Sequence, residues 1–171
     1  YWPPQFVIHE GDTLKPLKVI ATSGIASETN QFVREARVAA IVSSHYKPEW
    51  VVNVKETGLI WIVDYTDLKN LSIKQIEASL FLHDGGLDST HRYFLVAANQ
   101  SNQVAVVDLK EDKLTGIVDV GKVPHPGRGA NFIHPKCGPV WAIGHLGSEK
   151  IALIGTDPAK RKDYAWKVCE V

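Results

Sequence analysis

Short apolar runs separated by polar turns carry most of the information in this chain. Residues 50–54 (WVVNV), 59–65 (LIWIVDY), 93–98 (YFLVAA), 104–109 (VAVVDL) and 151–154 (IALI) are rich in β-branched and aromatic side chains and are bounded by Gly, Asn, Asp or Pro. That combination predicts strands. Long amphipathic helices are missing, so the expected class is all-β. Glu56-Thr57-Gly58 and residues 99–102 read as hairpin turns.

The runs recur. Residues 82–122 (LHDGGLDSTHRYFLVAANQSNQVAVVDLKEDKLTGIVDVGK) align with the stretch that opens PHPGRGANFIHPKCGPVWA at Pro124. Residues 49–67, 92–111 and 139–157 form equivalent hairpins, and Asp64 and Asp108, each at the end of an apolar run, lie 44 residues apart. A period of this size with four strands per unit is the pattern of a β-propeller blade, whose faces are buried only by stacking on neighbours. The expected blades are a partial one at 1–36 and complete ones at 37–81, 82–123 and 124–171, with innermost strands at 38–43, 84–89 and 130–133. Residues 5–22 read as the last two strands of an earlier blade and 21–35 as an irregular connection. Propellers need about four to eight blades to close, so the chain is expected to be part of a larger ring.

Register sorts the histidines. Arg37, His83 and His125 sit at the entrance of an innermost strand, and His45, His91 and His134 follow eight or nine residues later. At roughly 3.3 Å per residue the two groups belong to opposite mouths of the channel, about 25 Å apart. His83 and His125 fall at equivalent places in successive repeats beside glycines, so they are the pair expected to converge on one ligand. His9, His45, His91, His134 and His145 read as structural. Gly127-Arg128-Gly129 has two readings: glycines that let the backbone approach an anion held by the guanidinium, or a tight interblade turn with a solvated arginine.

Composition narrows the field by exclusion. Nineteen basic and nineteen acidic side chains are interspersed among 171 residues, leaving no positive stripe for nucleic acid. No apolar run reaches the roughly 20 residues of a bilayer span, and the start, Tyr1-Trp2-Pro3-Pro4, lacks signal-peptide order, which implies a mature or truncated chain. Cys137 and Cys169 make no C-x-x-C or C-x-x-C-H motif and leave the compartment open. No nucleotide loop, serine triad or HExxH helix is present.

The strings FLHDGGLDSTHRYFLVAAN, DVGKVPHPGRGANFIHPKCGPVWA, LIGTDP and AWK, with YWPPQF, RVAAI and VVNVKETG upstream, closely resemble the haem d1 domain of the cytochrome cd1 nitrite reductases over essentially the whole chain. The resemblance implies about three and a half blades of an eight-bladed propeller around haem d1, in a periplasmic homodimer whose separate amino-terminal domain carries haem c. It implies reduction of nitrite to nitric oxide in denitrification, with electrons from a small c-type cytochrome or a cupredoxin. His83 and His125 match the two distal, catalytic histidines, and Arg128 the basic residue beside them. Arg128, Gly127, Gly129 and Arg37 are the expected cofactor-binding set. The proximal iron ligand is expected outside the segment, which alone is expected to be inactive. Two other readings are a haem d1 biosynthesis propeller of the dihydro-haem d1 dehydrogenase type and a non-enzymatic surface-repeat propeller. Retention of both histidines favours the reductase.

Overall fold

The computed structural model describes residues 2–170; Tyr1 and Val171, at the two ends of the resemblance, lie outside them. Strands β1 (Gln5–His9) and β2 (Pro16–Ala21) form a hairpin, and β3 (Gly24–Ile25) and β4 (Phe32–Val33) a second, short one. Three four-stranded antiparallel sheets follow. The first comprises β5 (Val38–Ser43), β6 (Glu49–Val54), β7 (Leu59–Asp64) and β8 (Ser72–Glu77); the second β9 (Leu82–Leu87), β10 (Tyr93–Ala98), β11 (Gln103–Asp108) and β12 (Lys113–Asp119); the third β13 (Ala130–His134), β14 (Gly138–His145), β15 (Ser148–Gly155) and β16 (Val168–Glu170). Within each sheet the strands pair in sequence order, so every sheet is a meander.

Both faces of β6, β7, β10 and β11 are buried, which is why they read as continuous apolar runs and not as an alternation. Phe94, Val96 and Ala98 of β10 pack with Val42, Val51, Ile60 and Ile62 of the first sheet. Tyr93 and Leu95, pointing the other way, pack with Trp141, Ile143 and Ile154 of the third. A third core joins Phe6 and Ile8 to Val52, Val54, Trp61 and Val63. Period-two alternation thus sends neighbouring residues of one strand into two different cores. With β5 against β9 and β8 against β12, the sheets stack as part of a β-propeller. No helix among the described residues is long and apolar enough to cross a membrane.

Three details depart from the sequence reading. The connection at 21–35 holds the β3–β4 hairpin, closed by an Ala26 N–H to Gln31 carbonyl bond of 2.9 Å. The second innermost strand runs Leu82–Leu87, not 84–89, because Asp88, through its side chain and backbone, turns the chain toward Thr90 and Tyr93. The two cysteines, 32 residues apart, form a disulfide with Cα atoms 6.4 Å apart, tying edge strand β16 to the turn before β14.

Candidate active site

The register of β9 against β10 creates the site. Gly85 pairs with Val96 and Leu82 with Ala98, so His83 and Asp84 together oppose Ala97. An extra residue of this kind is a β-bulge, and bulges re-aim side chains. Here the bulge lets two consecutive side chains meet: His83 Nδ1 lies 3.1 Å from Asp84 Oδ1. The buried Asn53 of β6 anchors the strand by donating from Nδ2 to the His83 carbonyl at 2.9 Å.

His125 arrives from the loop before β13. Its N–H donates to the Gly144 carbonyl at 3.1 Å, and Pro124 bridges to His145. The two imidazoles stand with centroids 4.8 Å apart and planes tilted by 47°. His125 Nδ1 is 3.5 Å from Asp84 Oδ2, so one carboxylate faces both rings. The imidazole side chains are 32% and 36% exposed, open enough for a ligand to reach. His83 Nδ1 and Asp84 Oδ1 are themselves buried, and neither makes a hydrogen bond among the described residues.

The glycines beside Arg128 serve the turn. Gly127 and Gly129 both have positive φ, +59° and +65°, and Gly129 N–H donates to the Pro126 carbonyl at 2.8 Å. A Cβ on Gly129 would overlap the Trp141 indole, whose Nε1–H donates to the Arg128 carbonyl at 3.1 Å. Gly86 of β9 is equally constrained, since a Cβ there would meet that same carbonyl. Asn131 completes the seam by donating to the Leu87 carbonyl at 2.9 Å. Arg128 is exposed and makes no ion pair among the described residues.

Arg37 is engaged by Glu56. Its Nε donates to Glu56 Oε1 and its N–H to Oε2, both at 2.7 Å, and it lines a separate cleft with Trp2, Pro4 and Glu35. His45 and His91 stack on each other with centroids 4.0 Å apart. They lie beyond the far ends of β5 and β9, away from His83. His134 accepts from the Cys137 N–H at 3.3 Å; His9 and His145 each contact a backbone carbonyl through Nδ1. The sequence reading missed Asp84, Asn53 and Trp141.

Two clusters have metal-ligating donor types within 4.8 Å: His83, Asp84 and His125, and His134, Cys137 and Cys169. In the second both sulfurs are taken up in the disulfide. In the first, two imidazoles face one carboxylate, groups that can gain, hold and pass protons near neutrality.

Fold and site together define a β-propeller segment with a His–Asp–His cluster at a seam between sheets. The sequence places it further: the chain belongs to the cytochrome D1 heme domain family, which it matches over residues 1–171. It is 57% identical over 175 residues to the nitrite reductase of Stutzerimonas stutzeri, an alignment covering 99% of this chain and 31% of that protein. Identity to the dihydro-heme d1 dehydrogenase of Pseudomonas aeruginosa is 22% over 129 residues, 75% of this chain and 25% of that one. The chain therefore spans a third or less of the length of these relatives. Among solved structures, a dihydro-heme d1 dehydrogenase in complex with DHE superimposes with a TM-score of 0.73 at 21% identity, over 98% of this chain and 33% of that one. Hydrazine synthase of Kuenenia stuttgartiensis gives 0.61 at 15%, over 86% and 38%. These two likenesses concern the fold alone.

Proposed function

We propose that this chain forms the distal wall of a haem d1 pocket in a nitrite reductase that makes nitric oxide. The observation that carries the reading is the convergence of His83 and His125 across the seam, their rings 4.8 Å apart, in a chain 57% identical to a nitrite reductase. The residues fit such a wall. Both rings are partly open, and the exposed Arg128 forms no ion pair among the described residues, so His83, His125 and Arg128 would face the bound anion; haem d1 would need its iron ligand from residues beyond these. Bound haem d1 supplies the electron.

Nitrite gains one electron and two protons and leaves as nitric oxide and water. The N–H groups of His83 and His125 hydrogen-bond the nitrite oxygens and pass protons to the one that departs, since imidazole gains and loses a proton near neutrality. Arg128 adds a fixed positive charge that favours the anion. Gly127 and Gly129 shape the turn that presents it. In this reading the whole protein is a periplasmic homodimer fed by a small c-type cytochrome or a cupredoxin. The disulfide supports an oxidising compartment.

Steady-state nitrite reduction by the full-length protein, at equal haem d1 occupancy, tests the assignment. His83→Ala or His125→Ala lowers turnover by roughly 10² to 10⁴ with the haem retained. Arg128→Ala acts mainly on the nitrite concentration needed for half-maximal rate. Near-normal turnover in both histidine variants would overturn the reading.

A further inference from the structure

We infer that Asp84 is the positioning residue of the histidine pair: its carboxylate takes the Nδ1 side of both imidazoles and leaves their Nε2 atoms to the ligand. The inference rests on the proposed function above and goes beyond it, to what sets the geometry and tautomer of the two rings.

Three observations carry it. The carboxylate is shared, with Oδ1 3.1 Å from His83 Nδ1 and Oδ2 3.5 Å from His125 Nδ1. The closer contact joins two buried atoms, and neither makes a hydrogen bond among the described residues, so the ion-pair approach between them is what each has to offset its burial. A regular strand would send Asp84 to the face opposite His83; the bulge at Ala97 puts both on one side.

The chemistry follows from the donor inventory. An ionised carboxylate accepts only, so the nitrogen facing it is the one that carries a proton in the neutral ring. Both rings are then held with Nδ1–H inward, and Nε2 of each is the atom that receives and delivers a proton at the ligand. A carboxylate that orients a ring in this way acts through the ring and touches no substrate. Without it each imidazole is free to turn and to adopt the other tautomer, and the two no longer present the same nitrogen to one anion.

The test uses the full-length protein with haem d1 bound at equal occupancy. Asp84→Asn keeps the size of the side chain and puts a donor where the acceptor was; Asp84→Ala is the second variant should the amide not be tolerated. Two readouts are taken together: kcat and KM for nitrite, and the C–O stretching frequency of the ferrous carbon monoxide adduct, which responds to distal hydrogen-bond donors. Asp84→Asn is expected to lower kcat by about 10- to 100-fold, the usual effect of removing the partner that orients a functional histidine, with little change in KM, unchanged melting temperature and a shifted stretch. A wild-type stretch and wild-type kcat in Asp84→Asn, while His83→Ala and His125→Ala are impaired, would overturn the positioning role and leave the proposed function standing. Normal turnover in the two histidine variants would instead remove the function reading on which the role depends.

Discussion

The second and third sheets are built to the same plan and held very differently. In the second, every side chain of β10 is buried and only Gln103 of β11 is partly open, because cores lie against both faces. In the third, only one face is covered. On the other, Ile151 of β15 is 56% exposed and Phe132 of β13 45%. His83 stands on the clamped sheet and His125 on the loop that leads into the other. The spacing of the pair is therefore set by neither sheet alone but by contacts that join them: Gly86 to Arg128, Asn131 to Leu87 and Trp141 packed with Leu95.

The largest expected effect comes from removing the one large side chain that serves both core and seam. Trp141→Ala leaves a cavity among fully buried neighbours and should cost about 3–5 kcal/mol, whereas Ile151→Ser, on the open face, should cost less than about 1 kcal/mol unless a neighbouring blade covers it. Urea unfolding of both variants in the isolated chain and in the full-length protein measures the contrast, and a full-length cost for Ile151→Ser identifies that face as an interblade surface.

The disulfide should matter to the third sheet only. Cys169→Ser opens a loop of 32 residues and should lose about 2–4 kcal/mol, with hydrogen exchange rising in β14–β16 and unchanged in β10. Equal rises in both sheets would mean that the two do not unfold separately.

Gly86→Ala attacks the seam directly, since its Cβ would occupy the position of the Arg128 carbonyl. Overpacking of this kind costs about 1–3 kcal/mol, and a crystal structure should show the imidazole pair drawn apart with both sheets intact.

The smallest effect concerns charge in the second sheet. Burial alone would push the Asp108 carboxyl up, but the Arg92 guanidinium and the N–H groups of Lys110 and Glu111 outweigh it and hold the carboxyl below its usual range. A depressed carboxyl stabilises the fold above the unfolded value, near 3.9, and that contribution is lost as pH falls through the folded value. Arg92→Ala should thus be destabilised by roughly 1–2 kcal/mol at neutral pH, and the difference from the parent should shrink below about pH 4. Asp157, in a similar place in the third sheet, bonds backbone N–H groups of Ala159 and Lys160, so Asp157→Asn gives a comparison without an ion pair.

How far the sequence could be read follows the same divide between buried and open surface. Residues 93–98 match β10 end for end, because a strand buried on both faces has to be apolar throughout. The outer strands β8 and β12 escaped because their alternating, mostly exposed side chains resemble loop sequence. The histidine pair was legible because repeats place equivalent residues on one rim. Arg37 obeyed the same repeat logic, but Glu56 captured its guanidinium. Asp84 was hidden by the alternation rule itself, which assigns neighbours in a strand to opposite faces. The disulfide was hidden because Cys169 reaches Cys137 only through the pairing of β16 with β15, which no local pattern announces.

The bulge in β9 has a consequence for how this site could have been acquired. Because Leu82 and Gly85 keep their partners Ala98 and Val96 on either side of it, Asp84 is supernumerary to the ladder. Losing that one codon would close the pairing, leave Leu82 in its core and His83 opposite Ala97, and remove the carboxylate and nothing else. An ancestor with an unbraced histidine and a descendant with a braced one are thus separated by a single in-frame triplet, with no reshaping of the sheet in between.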